Sequence, residues 1–177
     1  MITLVGGGAR SGKSAFALAQ ARRLGPRRAF LATAEPLDDE MRARIARHRD
    51  ERGDDFFTIE EPRDLPGALG RLEPFDVVVV DCLTLWLSNL LVAGMAAGSI
   101  REQVEALVAV LAAPRLRAIL VTNEVGMGIV PETPLGRAFR DLAGQSHQRL
   151  AAVADEIYLA ALGVVLRVHP GPVERAR

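Results

Sequence analysis

Residues 7–14 of the chain read Gly-Gly-Ala-Arg-Ser-Gly-Lys-Ser, and this stretch decides the fold class. It follows the short apolar run 2–5 and leads into a helix-forming stretch at 15–24. The order strand, glycine turn, helix, with the spacing Gly-x-x-x-x-Gly-Lys-Ser, is that of a P-loop, whose backbone N–H groups wrap the β-phosphate of a nucleotide. Lys13 then reaches the β- and γ-phosphates, Ser14 can bind Mg²⁺, and the positive helix end attracts the same anion. The alternative is a glycine turn that only joins strand to helix, but motif and context agree on a nucleoside triphosphate site.

Length and composition are typical of one compact enzyme domain. The chain has 177 residues, 49% of them hydrophobic, so we expect a single domain over 1–169 and a frayed tail over 170–177. Lys plus Arg and Asp plus Glu are equal at 22 each, which predicts no nucleic-acid or anionic-membrane partner. The single cysteine, Cys82, excludes an internal disulfide and is expected to be a buried apolar filler. No basic leader and no long apolar stretch are present, so the expected location is the cytoplasm.

Short apolar runs predict a mostly parallel sheet. The run 76–81 is almost unbroken in β-branched residues, as a strand buried on both faces requires. Similar runs at 28–33 and 118–122 predict further strands, and 156–161 and 164–168 lie close enough for a hairpin. We therefore predict an α/β fold: a single P-loop NTPase-like domain with a mostly parallel central sheet, flanking helices and a C-terminal antiparallel hairpin.

Two helix boundaries carry specific expectations. Ser99-Ile100-Arg101-Glu102 has the pattern of a capping box, which predicts a helix start there, and Pro114 closes that helix. Thr133-Pro134 predicts the start of the longest helix, running to about Asp155 with Leu135 among its inward residues.

The carboxyl edge of the predicted sheet gathers chemistry-bearing residues. Asp81 ends a buried strand, where P-loop enzymes hold magnesium, so it is the natural partner of Ser14; the alternative is a capping or turn residue. Residues 32–34 end another strand at the same edge, where open α/β folds bind ligands. The glycines of 123–128 suit a mobile loop over this site.

An arginine-rich helix follows the second strand. Asp38 can cap a helix that runs to about Arg52 with Gly53 as terminator. Met41, Ile45 and His48 are spaced i, i+4, i+7, so the imidazole shares the face that should dock on the protein body. Spacing alone favours a packed or solvated histidine on a solvated helix over a catalytic one.

Five motifs in order give the chain a resemblance to a known family. They lie at 7–14, at 39–49, at 81–84 (Asp-Cys-Leu-Thr), at 122–132 (Thr-Asn-Glu-Val-Gly-Met-Gly-Ile-Val-Pro-Glu) and at 147–150 (His-Gln-Arg-Leu). Together they resemble adenosylcobinamide kinase/adenosylcobinamide-phosphate guanylyltransferase, the bifunctional enzyme of cobalamin nucleotide-loop assembly. The resemblance covers nearly the whole chain.

The resemblance implies two reactions in one cytoplasmic protein that assembles as a homotrimer. A nucleoside triphosphate, ATP or GTP, first phosphorylates the aminopropanol hydroxyl of adenosylcobinamide, with Mg²⁺ as the metal. GMP then passes from GTP through a histidine to that phosphate, giving adenosyl-GDP-cobinamide and pyrophosphate. The family's histidine matches His48, which reverses the interpretation from spacing alone. Two rival hypotheses are a simple P-loop small-molecule kinase without a covalent nucleotide intermediate, and a P-loop switch module.

The implied site residues carry over by position. His48 and Lys13 are the implied catalytic residues, and Ser14 and Asp81 the implied magnesium ligands. The implied nucleotide contacts are Gly7, Gly8, Ala9, Arg10, Ser11, Gly12, Lys13, Ser14, Ala32, Thr33, Ala34, Arg49, Asp50, Glu51, Arg52, Glu60 and Asp81. Glu60 or Asp81 could accept hydrogen bonds from guanine N1 and N2, a role that for Asp81 competes with magnesium binding. The chain departs from the family at Gly6, where many relatives have threonine, and at His147, where asparagine is common.

Overall fold

The computed structural model of the protein describes residues 1–113 and 116–176 and shows one eight-stranded sheet flanked by helices. The strand order is β3-β2-β4-β5-β1-β6-β7-β8, with parallel pairing from β3 to β6 and antiparallel pairing of β6, β7 and β8. The strands are β1 Ile2–Gly7, β2 Arg28–Ala32, β3 Phe57–Glu60, β4 Val77–Asp81, β5 Ala118–Asn123, β6 Glu156–Ala161, β7 Val164–His169 and β8 Glu174–Arg175. The predicted fold class, including the C-terminal antiparallel hairpin, is confirmed.

Six α-helices cover the sheet in the described part of the chain. They are α1 Lys13–Leu24, α2 Asp39–Arg52, α3 Leu65–Gly70, α4 Leu83–Val92, α5 Ala97–Leu111 and α6 Pro134–Ala151, and a 3₁₀ turn at Gly53–Asp55 follows α2. Within residues 1–113 and 116–176, none of the helices has both the length and the apolar character needed to cross a membrane.

The central strand β4 is buried on both faces, as its β-branched sequence predicts. Val78 and Val80 point into a core shared with α3 to α6, whereas Val77 and Val79 point into a second core shared with α1. All four valines are at most 1% exposed. The helices therefore leave only the strand ends open, and the carboxyl edge of the parallel strands becomes the place for a site.

The register of the parallel strands places four chain positions side by side at that edge. Ala32 of β2 pairs with Asp81 of β4, and Gly7 of β1 pairs with Asn123 of β5, which lies between β4 and β1. The P-loop after Gly7 and the carboxylate of Asp81 are therefore separated by a single strand.

The expected capping box at 99–102 is wrong. Helix α5 starts at Ala97, with Ala96 as its N-cap, and Ile100 is already fully buried inside the helix. The Ile100 N–H donates to the Ala96 carbonyl at 3.0 Å, so the first turn forms before Ser99 can cap it. Burial of an apolar side chain outweighs the local capping preference here. The predicted helix end at Pro114 lies outside the described residues.

Helix α6 and the C-terminus also differ from expectation. Leu135 is 55% exposed rather than inward, because it lies in the first turn, before the helix reaches the core. The helix ends at Ala151 rather than near Asp155, whose side chain accepts a hydrogen bond from the Ile2 N–H and whose N–H donates to the Ile2 carbonyl. The tail expected to fray instead adds the short strand β8 to β7.

Candidate active site

The P-loop turn has the backbone geometry that its glycines permit. Gly12 precedes α1 with φ 93°, a left-handed conformation that side chains with a Cβ rarely adopt. A Cβ added at Gly7 would clash with the Ala160 carbonyl oxygen, so only glycine fits where β1 enters the loop. The turn is thus shaped by backbone requirements that the sequence satisfies.

Lys13 is folded back onto this turn. Its Nζ donates to the Gly8 carbonyl at 3.0 Å, and the residue is only 6% exposed. Burial lowers the pKa of Lys13, while the nearby charge of Asp81 opposes that effect. The buried Ser11 hydroxyl has no hydrogen-bond partner among the described residues. A cation and an unpaired hydroxyl around one loop are what an incoming phosphate would satisfy.

Two adjoining pockets extend from the P-loop. The outer pocket, between the P-loop and α2, is lined by residues 9–15 and by Glu40, Ala43, Arg44, Arg47, His48 and Glu51. The inner pocket, between α2 and the strand ends, is lined by Lys13, Ser14, Phe30, Ala32, Ala34, Met41, Arg44, Ile45, His48, Arg52, Asp81, Cys82, Leu85 and Asn123. Lys13, Ser14, Arg44 and His48 line both, so they stand at the junction of the two pockets.

His48 projects from α2 toward this junction. Its side chain is 26% exposed, and its Nδ1 lies 3.5 Å from Glu51 Oε2, one turn further along the helix. Met41 and Ile45, the residues predicted to share its face, also line the inner pocket. That face therefore borders a pocket instead of packing directly on the protein body.

Asp81 ends β4 in the inner pocket beside Lys13 and Ser14. Burial raises its pKa, and the neighbouring His48, Lys13 and Arg44 side chains act in the opposite direction. A partly desolvated carboxylate next to cations is stabilised when a further positive group binds. The hydroxyl of Ser14 and the carboxylate of Asp81 are hard oxygen ligands, and magnesium commonly takes one or two such protein ligands plus phosphate oxygens. The pair fits a magnesium ion.

Arg52 closes the inner pocket at the C-terminal end of α2. Its guanidinium lies 4.0 Å from the centre of the Phe30 ring, and the residue is only 5% exposed. Burial lowers its pKa, with a further contribution from the nearby Arg49 charge. Its buried Nε has no hydrogen-bond partner within residues 1–113 and 116–176. A buried guanidinium with a free donor is suited to an acceptor on a bound nucleotide.

Thr33 lies behind the pocket wall. Its hydroxyl donates to the Cys82 carbonyl and accepts from the Cys82 N–H, both at 2.8 Å, and Thr33 is fully buried. Asn89 of α4 donates to the Thr33 carbonyl at 2.7 Å and to the Pro62 carbonyl at 3.0 Å. Thr33 thus fixes the ends of β2 and β4 relative to each other and does not line either pocket.

The structure brings most of the sequence-derived site residues together and leaves a few apart. Arg49 and Glu60 form an exposed ion pair at 3.3 Å, and Asp50 is exposed, so none of these three lines a pocket. Sequence reasoning did not assign a site role to Phe30, Arg44, Leu85 or Asn123, all of which line the inner pocket. Asn123 could have been found from its position at a predicted strand end.

Comparisons with known proteins give a family match and full-length relatives. The family model for cobinamide kinase / cobinamide phosphate guanyltransferase matches residues 3–168. The chain is 40% identical to the bifunctional adenosylcobalamin biosynthesis protein CobU of Salmonella typhimurium strain LT2, covering 95% of this chain and 99% of that protein. It is 39% identical to the bifunctional adenosylcobalamin biosynthesis protein CobP of Pseudomonas aeruginosa, covering 98% of this chain and 100% of that protein.

Solved structures share the fold at low sequence identity. A solved ATPase domain aligns with a TM-score of 0.57 and 14% identity, covering 99% of this chain and 79% of that chain. The flagellar accessory protein FlaH from Methanocaldococcus jannaschii aligns with a TM-score of 0.51 and 10% identity, covering 99% of this chain and 77% of that chain. The family model and the full-length relatives, together with the P-loop geometry, show that the chain belongs to the cobinamide kinase / cobinamide phosphate guanyltransferase family.

Proposed function

We propose that the protein phosphorylates adenosylcobinamide with a nucleoside triphosphate and then transfers GMP from GTP to adenosylcobinamide phosphate through a guanylyl group on His48. The observation that carries the proposal is the position of His48, which shares the walls of both pockets with Lys13 and Ser14 of the P-loop. A histidine packed in the core or exposed on a solvated face would not line both of these pockets.

In the guanylyl step, a ring nitrogen of His48 attacks the α-phosphorus of GTP. The P–N bond forms as the bond from the α-phosphorus to the α,β-bridging oxygen breaks, and pyrophosphate leaves. Glu51 Oε2 lies 3.5 Å from Nδ1, so in this proposal Nδ1 faces Glu51 and Nε2 is the attacking atom. Lys13 neutralises charge on the departing pyrophosphate. The oxygen of the cobinamide phosphate then attacks the guanylyl phosphorus and releases His48.

Ser14 and Asp81 would hold the magnesium ion, which supplies charge neutralisation on the phosphate oxygens when bound. The raised pKa of Asp81 supports this assignment, since a nearby cation offsets the cost of a desolvated carboxylate.

The inner pocket is our proposed site for the guanine base in the guanylyl step. Its apolar wall includes Phe30, Ala32 and Ile45, which can cover a planar ring. Asp81 lies in this pocket, whereas Glu60 ends the next strand outward, paired in register with Ala32. Glu60 or Asp81 can accept from guanine N1 and N2, a donor pair that adenine does not present, and for Asp81 this role is an alternative to magnesium binding.

The kinase step requires a different approach to the nucleotide. The substrate hydroxyl attacks the γ-phosphorus, so it has to enter opposite the β,γ-bridging oxygen. ATP and GTP are both proposed donors for this step, because the P-loop binds phosphates and does not read the base.

A labelling experiment tests the guanylyl intermediate. The protein is incubated with magnesium and GTP labelled on the α-phosphate, precipitated, and assayed for retained label in acid and in alkali. We expect acid-labile, alkali-stable label in the wild type and none in His48→Ala. His169→Ala is the matched control, because His169 is an exposed histidine on β7, and it should label like the wild type. An unlabelled wild type that still transfers the γ-phosphate would leave a simple kinase.

Assembly and location are further parts of the proposal. We infer a homotrimer in the cytoplasm from the family resemblance, and no nucleic-acid partner from the balance of 22 basic and 22 acidic residues. Light scattering of the purified protein should give three times the 19.1 kDa chain mass.

A further inference from the structure

Asn123 lies at the end of β5 and lines the inner pocket. Neither the resemblance to the family nor the guanylyl mechanism gives this residue a role. It ends β5, the strand between β4 with its Asp81 and β1 with its P-loop. It pairs in register with Gly7, and the N–H of the next residue, Glu124, donates to the Gly7 carbonyl at 3.0 Å. The residue lines the inner pocket together with Lys13 and Asp81.

In the Asn123 side-chain amide, the nitrogen has a hydrogen-bond partner among the described residues and the oxygen has none. Its Nδ2 donates to the Thr84 hydroxyl at 3.2 Å and lies 3.8 Å from the Cys82 sulfur. The Thr84 hydroxyl and the Cys82 sulfur are themselves 2.8 Å apart, and both residues are buried. The Oδ1 atom is buried and has no hydrogen-bond partner among the described residues. A buried acceptor without a partner is costly, so this oxygen should be satisfied when substrate fills the site.

We propose that Asn123 Oδ1 accepts a hydrogen bond from the attacking hydroxyl of the alcohol substrate in the kinase step, and so orients that oxygen toward the γ-phosphorus. The inference rests on the proposed function. The hydroxyl oxygen bonds to the γ-phosphorus as the bond to the β,γ-bridging oxygen breaks. The hydroxyl proton stays in the hydrogen bond to Asn123 Oδ1 until the new P–O bond has formed; it then passes to a phosphoryl oxygen and on to solvent, and the nucleoside diphosphate leaves.

The two reactions differ in their need for such a residue. In the guanylyl step the nucleophile is His48, which α2 already positions at the junction of the two pockets. In the kinase step the nucleophile is a small hydroxyl on a mobile substrate arm, and no other assigned residue orients it. Loss of the Asn123 oxygen should therefore impair phosphorylation of the alcohol far more than labelling of His48.

The test measures both steps in the same preparations. In Asn123→Ala, we expect kcat for adenosylcobinamide phosphorylation to fall about ten- to hundredfold, with KM for the nucleotide changed less than about threefold. The rate of His48 labelling from α-labelled GTP should fall by a clearly smaller factor than the kinase kcat. Asn123→Asp keeps an oxygen at the same position and should recover part of the lost kcat.

Thr84 supplies a second pair of variants. Thr84→Val removes the hydroxyl that holds the Asn123 amide and should lower the kinase kcat, whereas Thr84→Ser keeps the hydroxyl and should not. Melting temperatures of all variants identify any that fail to fold. If Asn123→Ala lowers the kinase kcat and the rate of His48 labelling by equal factors, or leaves the kinase rate unchanged, this inference is wrong and the proposed function still stands. A wild type that shows neither step would overturn the proposed function, and this inference with it.

Discussion

The Thr33 hydroxyl should be among the largest single contributors to the stability of the strand ends that carry the site. It donates to the Cys82 carbonyl and accepts from the Cys82 N–H, both at 2.8 Å, in a fully buried position. The Thr33 N–H also donates to the Asp81 carbonyl at 3.0 Å. Thr33→Val keeps nearly the same side-chain shape and removes only the hydroxyl, so it isolates these two hydrogen bonds.

The expected cost follows from the two backbone groups that lose their partner. Each buried donor or acceptor left unpaired costs about 1–3 kcal/mol, so the Cys82 N–H and carbonyl together predict a loss of about 2–6 kcal/mol. For a chain of this size, each kcal/mol lowers the melting temperature by about 3 °C, which predicts a fall of about 6–18 °C. The affinity for nucleotide should fall as well, because the same contacts hold the Asp81 backbone at the inner pocket.

Urea unfolding at pH 7 gives the free energy of unfolding, and an unchanged slope with urea would show that the unfolded state is the same. Thr33→Ser is the matched control, since it keeps the hydroxyl and loses one methyl group. A Thr33→Val protein within about 0.5 kcal/mol of the wild type would refute the reasoning, because surface-like substitutions give effects of that size.

Three further substitutions test the electrostatics and sterics of the site. Asp81→Asn should raise the free energy of unfolding of the nucleotide-free protein by about 0.5–2 kcal/mol at pH 7 while abolishing both activities. Burial raises the pKa of Asp81 above its ordinary value, so protonation of this carboxyl adds to wild-type stability as pH falls toward that raised pKa, and the gain from Asp81→Asn should shrink with falling pH in urea unfolding. Burial lowers the pKa of His147, so the contribution of this group to wild-type stability falls as pH drops below about 6.5, opposite in sign to that of Asp81. In the same titration, His147→Asn should gain stability relative to the wild type as pH drops below about 6.5, whereas His169→Asn should not. Gly7→Ala forces a Cβ against the Ala160 carbonyl and should lower the free energy of unfolding by about 1–3 kcal/mol. It should also reduce the rise in melting temperature that added nucleotide produces.

The sequence was sufficient to predict the parts of the site that depend on local pattern. The P-loop, the strand that ends at Asp81 and the shared face of Met41 and His48 all follow from spacing within one element. Parallel strands bring their carboxyl ends to one edge, so the meeting of Asp81 with Ser14 was also predictable.

Contacts between distant segments could not be predicted in the same way. The stacking of Arg52 on Phe30 joins two elements whose relative position only the fold determines. The contact between Asn123 and Thr84 likewise depends on the order in which β4 and β5 lie in the sheet. The capping box predicted at Ser99 is the opposite case, because here a local sequence pattern gave a wrong helix start. Helix α5 begins at Ala97, two residues earlier, and buries Ile100.

One wall of the site is formed by the buried sheet and α1, and the opposite wall is formed by α2, which is largely exposed. Lys13 and Asp81 belong to the sheet and its first helix, whereas His48 belongs to α2, in which Arg52 is the only buried residue. Arg52 packs at 4.0 Å on Phe30, so the helix is held at its C-terminal end. His48 lies one turn from that end, about 6 Å along the axis, whereas the first turn of α2 is about three turns away. A helix held at one end moves least near the point of attachment. In the proposed mechanism His48 therefore stays close to the P-loop, and the N-terminal turns of α2, which bury no residue, can move to admit the proposed corrinoid substrate. A helix that resembles a solvated surface in sequence would in this way carry a reactive residue.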